Sequence, residues 1–152
     1  MGILKKEKKE KTSSLLSDIR TSAEWIVRAM NSSGYNVGMT IDSLREIDRF
    51  FNEHMNDDTH SPNTGGLLSE NMGSRLFGVG SLIGEVIIHE CGGEWITNDN
   101  DEQGEINIAV KLPDGSVIWP VQRVMNRCRE GPENDVYNYV MLAVGRYKSR
   151  FA

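Results

Sequence analysis

An α+β fold follows from two observations on this chain of 152 residues. Apolar residues recur at helical spacing up to about residue 90 and again after Pro120, whereas between Gly93 and Trp119 they alternate between clusters of turn formers. Helices and strands kept apart along the sequence pack as α+β rather than as interleaved layers. The expected order is three N-terminal helices, a three-stranded antiparallel meander and two C-terminal helices, in a single domain over residues 12–152 behind a flexible basic tail at residues 1–11.

The first helix is expected over residues 12–31, with Leu15, Ile19, Ile26 and Met30 on one stripe and Leu16, Ala23 and Val27 beside it. Trp25 falls off that stripe, as a second packing face or as an aromatic suited to a partner. SSGYNVGMT breaks the pattern, and Thr40 can cap a second helix carrying Leu44, Ile47, Phe50 and Phe51. NDDTHSPNTGG, residues 56–66, is the strongest loop signal, of a length that predicts mobility or function. Ser69 is expected to cap a third helix reaching about Glu90. It is apolar nearly all round, which places it at the centre, and Gly80 and Gly84 on it permit close approach of neighbours. At about 20 residues, with Arg75, Glu85, His89 and Glu90, it does not read as a membrane span.

Gly92 or Gly93 should close that helix in a left-handed conformation. Strands are expected at Glu94-Trp95-Ile96-Thr97, at Ile106, Ile108 and Val110, and at Val117-Ile118-Trp119, with Pro113-Asp114-Gly115 as a tight turn. Trp95 and Trp119 should anchor the sheet on the central helix. Pro120 opens a fourth helix with Val121, Val124, Met125 and Cys128 on its apolar face, and a fifth begins near Asn134.

Charge is segregated. The tail MGILKKEKKEK holds five lysines against two glutamates, a net +3, so the chain's −5 leaves −8 for the remainder. An acidic body argues against nucleic acid as the partner, because phosphate binding needs a basic surface. The tail is the one place for contact with an anionic membrane, although a solvated tail accounts for it as well. It is no signal peptide, and Lys6 stands where a myristoylation motif wants Ser or Thr. Two cysteines are too few for a disulfide framework, so reduced thiols in a cytoplasm are expected.

Several chemical patterns fail on spacing. His89, Glu90 and Cys91 adjoin in sequence, but His89 and Cys91 are separated by about 200° of helical rotation. No histidine follows at Gly93, where a two-histidine zinc helix needs one. Ser81, Glu85 and His89 line one side of the central helix, yet Ser81 and His89 lie about 12 Å apart along it, too far for nucleophile and base. Glu85 with His89 remains as an i,i+4 pair. NDNDEQGEINIAV begins like a calcium loop but has Val110 where the bidentate glutamate belongs. Arg123 and Arg127, four apart and read as opposite the apolar stripe, could receive a carboxylate or phosphate, or answer Glu130, Glu133 and Asp135. No catalytic residue, metal or cofactor is implied, and the candidate binding residues are Glu85, His89, Arg123 and Arg127.

The series Gly84-Glu85, Gly93-Glu94-Trp95, a hairpin, Pro120, Arg127 and Gly131, over residues 76–142, resembles small bacterial domains, some of them similar to immunity proteins that neutralise toxins of competing bacteria. The resemblance bears on fold more than on activity. Together with the acidic body and the lack of a coherent catalytic geometry, it leads to the expectation of a cytoplasmic, non-enzymatic binding module with a protein partner such as a basic toxin. The competing expectation is an enzyme or small-ligand binder with a pocket near Glu85, His89, Arg123 and Arg127.

Overall fold

The computed structural model describes residues 14–151, with side chains through Gly145; the expected basic tail lies outside the described residues. The architecture is α+β, with five α-helices and two small antiparallel sheets among those residues. The helices are α1 (Leu15–Ser32), α2 (Leu44–His54), α3 (Met72–Cys91), α4 (Pro120–Glu130) and α5 (Val136–Phe151). A pair of two-residue strands, β1 (Met55–Asn56) and β2 (Ser61–Pro62), follows α2. The meander is β3 (Glu94–Ile96), β4 (Ala109–Lys111) and β5 (Val117–Ile118), in that spatial order.

Helix α3 lies between α1 and α4, and Leu82, Ile83, Val86 and Ile87 along it are wholly buried. Its glycines set the distances. A Cβ on Gly80 would stand 2.8 Å from Val121 Cα, and one on Gly84 would stand 2.0 Å from Trp95 Cη2. The first turn of α4 and the indole of Trp95 therefore rest directly on α3 backbone. Around it, the main core takes Ile26 and Met30 from α1, Phe50 and Phe51 from α2, and Val136 and Val140 from α5. A smaller cluster of Ile19, Phe77, Ile108 and Val121 seals the junction of α1, α3 and α4.

Several elements depart from expectation. Ser69 does not cap α3; its hydroxyl donates to Gly66 O at 2.6 Å within the preceding turn. The helix starts at Met72 after Asn71, which is left-handed (φ 52) and makes no side-chain cap. At the other end Gly92 has φ 81 and ψ −174, so the chain leaves extended rather than in the expected αL curl, in a region open essentially to glycine alone. Thr40 caps as expected, but its hydroxyl accepts from Ser43 N at the 3-10 turn leading into α2.

The second strand begins at Ala109, not at Ile106. Residues 98–107 instead coil back, with Ile106 N and Asn107 N both donating to Gln103 O. Ile108 is drawn into the smaller core cluster rather than along a ladder. The 56–66 segment is also more ordered than its composition suggests: β1 pairs with β2, Asn56 Oδ1 accepts from Asp58 N and Thr59 N, and Asn63 N donates to His54 O.

Distant carboxylates close two helix starts. Asp48 of α2 accepts from Val136 N at 2.7 Å and Tyr137 N at 3.0 Å, and Asp99 accepts from Leu15 N at 2.8 Å. Each satisfies amides that an N-terminal turn leaves without helical partners, where the helix dipole also favours negative charge. No helix among the described residues is long and apolar enough to cross a membrane.

Candidate functional site

Arg127 is the clearest correction to the sequence reading. Its side chain is 1% exposed rather than presented on an open helix face. Lying three residues after Val124 and one before Cys128, it sits at the border of the apolar stripe, where α2 and the β1–β2 turn cover it. Nη1 donates to Asp57 Oδ1 at 2.7 Å, while Nη2 donates to Asp57 Oδ2 at 3.3 Å and Asn52 Oδ1 at 3.0 Å. This two-pronged pairing is the strong form of an arginine–carboxylate contact. Its acid lies 70 residues upstream, not among the neighbouring Glu130, Glu133 and Asp135.

Arg123 is half-buried and clasps the turn into α5. Its guanidinium donates to Asp135 O at 3.2 Å and Asn134 Oδ1 at 3.4 Å, and lies 4.5 Å from the centre of the Tyr139 ring. Glu85 accepts from Trp95 Nε1 at 2.8 Å. His89, 61% exposed, lies 3.5 Å from Glu90 and not against Glu85. Among the described residues no hydrogen bond or ion pair joins any two of Glu85, His89, Arg123 and Arg127.

The remaining reactive groups are similarly engaged or enclosed. Cys128 is buried, which pushes its thiol up to about 11, so it is no thiolate at neutral pH. Ser81 is wholly buried and its hydroxyl has no hydrogen-bond partner. Asp101, one of the calcium-like acids, is held below the ordinary carboxylate range by the Asn107 amide and the Gln103 N–H. Among the described residues no group of three or more His, Cys, Asp or Glu could hold a metal ion.

What does gather is a surface. In the meander Trp95 pairs with Val110, and Val110 with Ile118; these three face inward, Trp95 onto Gly84. The register pairs Ile96 with Ala109 and, one step beyond Val110–Ile118, sets Ala109 opposite Trp119. Strand alternation turns this row outward. Trp119, expected in the core, is 44% exposed for that reason: it follows the inward Ile118 by one residue. Ile96 is 43% exposed, and Ala109 between them is 3% exposed. The next outward row is Glu94, Lys111 and Val117.

The segment that builds this sheet is acidic. From Glu94 to Trp119 it carries six Asp or Glu against Lys111 alone, a net −5. Glu94 stands on the outward face itself, and Glu102 and Glu105 are exposed in the β3–β4 connection. Charge bias and strand parity were both legible in the sequence; read together, they single out Ile96 and Trp119.

Two other surface features stand apart. An open groove of about 410 Å³ between α1 and α3 is lined by Val27, Met39, Leu82, Arg20, Arg28 and Glu85, among others. Trp25, 42% exposed, lies under Arg75, whose guanidinium is 5.0 Å from its ring. No family model, curated protein or solved structure matches the chain.

Proposed function

We propose that this protein is a non-enzymatic protein-binding module whose partner is basic, with a toxin-neutralising immunity protein as its most concrete form. The observation that carries this reading is the concentration of negative charge, a net −5 between Glu94 and Trp119, in the segment that builds a sheet with an apolar outward row of Ile96, Ala109 and Trp119. Such a field attracts a basic partner over distances beyond contact and raises its association rate. Arg123 and Arg127 spend their charge on closing the fold, which removes the principal anion-binding groups from the alternative pocket.

That alternative, a small-ligand or enzymatic site, keeps one observation in its favour: Glu85 lines the α1–α3 groove. His89, Arg123 and Arg127 do not line it.

The test is capture with the full chain, against candidate basic toxins and against lysate. A specific basic partner should be retained, with an association rate that falls severalfold as salt rises from about 0.05 to 0.5 M. Retention of no specific protein would remove the reading.

A further inference from the structure

We infer that the outward face of β3–β4–β5 is the docking surface, and that its occupant is an extended, lysine- or arginine-bearing segment of a partner protein. This rests on the protein-binding reading above and adds the site and the chemistry of what fills it.

Shape comes first. Ile96 stands on β3 and Trp119 directly follows β5 at the entrance to α4, separated by two strand spacings, about 10 Å. Ala109 forms the floor between them. One apolar side chain laid over Ala109 would touch both walls and remove exposed apolar surface from Ile96 and Trp119 together. Aromatic anchors of this kind dominate binding energies when a partner completes their burial. A three-stranded face offers a shallow, open platform, suited to a chain segment rather than to an enclosed small molecule.

Charge selects the occupant. Glu94, opposite Lys111, borders the apolar row on the same face. Glu102 is exposed in the β3–β4 connection and Asp114 lies in the β4–β5 turn, while Glu105 of that connection turns toward α1 and α3. A second copy of this chain would bring a −5 segment against a −5 segment and be repelled. A segment alternating apolar and basic residues meets both requirements: its apolar side chain enters between Ile96 and Trp119 while lysine or arginine reaches the carboxylates.

The experiment titrates the full chain with three synthetic peptides of equal length: alternating lysine and leucine, lysine alone, and alternating serine and leucine. Binding is read by calorimetry, and circular dichroism checks that each variant is folded. The lysine–leucine peptide should bind at least about tenfold more tightly than either control. Ile96→Ser, Trp119→Ser and Glu94→Lys should each weaken it severalfold or more, while Trp25→Ser, altering an equally exposed aromatic on α1, should not. Equal binding of the lysine-only peptide, or equal loss in Trp25→Ser, overturns the inference. Self-association of the wild-type chain that disappears in Ile96→Ser also overturns it, in favour of a second copy. Partner capture separates the two levels. A basic protein retained undiminished by Trp119→Ser refutes this surface and leaves the binding-module reading standing. Retention of nothing by the wild-type chain refutes both.

Discussion

The guanidinium of Arg127 has given up nearly all its water and holds Asp57 and Asn52 in exchange. The two ends of this ion pair are not equivalent, since Asp57 keeps 29% of its side-chain exposure. Asp57→Ala strands a buried cation on one amide oxygen and should cost about 3 kcal/mol in urea unfolding. Arg127→Met leaves a carboxylate that can rehydrate, so its cost should be smaller, about 1–2 kcal/mol. Equal costs would mean that the asymmetry of burial has no energetic counterpart. Ser81 poses the opposite case. Its enclosed hydroxyl has no partner, and Ser81→Ala removes the unmet polar group from mid-helix without adding volume. Thermal unfolding should show a gain of about 1 kcal/mol. His54 stacks on Phe50 at 4.4 Å, and burial holds its pKa below the ordinary 6.5. The fold thus favours the neutral ring. Its contribution is complete above pH 6.5 and is lost as pH falls through the depressed folded value. Wild-type stability should therefore fall more steeply from about pH 6.5 to 5 than that of His54→Phe, measured by denaturant midpoints.

At the scale of elements, α3 is a helix whose neighbours were admitted by missing side chains. Three glycines on it should respond differently to alanine. Gly73 faces open space in the first turn, so Gly73→Ala should stabilise by about 0.5–1 kcal/mol through helix propensity. Gly84→Ala drives a Cβ into the Trp95 ring and disturbs its bond to Glu85, which should cost about 1–3 kcal/mol and shift the tryptophan emission. Gly80→Ala meets the Val121 backbone, which cannot rotate away, so α4 must move as a body; its cost should equal or exceed that at Gly84. Unfolding midpoints for the three variants check that order. The helices were legible because periodicity survives tertiary context: Leu44, Ile47, Phe50 and Phe51 are all buried as their spacing implies. The strand at Ile106 was not, because Ile106, Ile108 and Val110 alternate equally well in a coil that sends Ile108 into a separate cluster. Nor was the Ser69 cap, since a serine hydroxyl can also close a turn.

For the whole molecule, what sequence could convey about the candidate site was its charge, and what it could not was which residues meet. Arg127 looked like a surface cation because its acid lies 70 residues away. Trp119 looked like core because tryptophan usually is, although the parity of Val117-Ile118-Trp119 allows only one side to face in. Asp99 illustrates the same non-locality. Asp99→Ala should cost about 1 kcal/mol, as loss of a cap does, and hydrogen exchange should rise in the first turn of α1 rather than in the loop that was altered.

That bond from Leu15 to Asp99 also orders events on the ribosome. A nascent chain has made the whole of α1 long before the residue that finishes its first turn emerges, and the sequence gap is 84 residues. Arg127 reaches back 70 residues to Asp57, and Val136 reaches back 88 to Asp48. The first turn of α1 and the carboxylates of Asp57 and Asp48 therefore wait for residues translated several seconds later at ordinary synthesis rates. Stable structure should arrive late and together, only once α5 has left the exit tunnel.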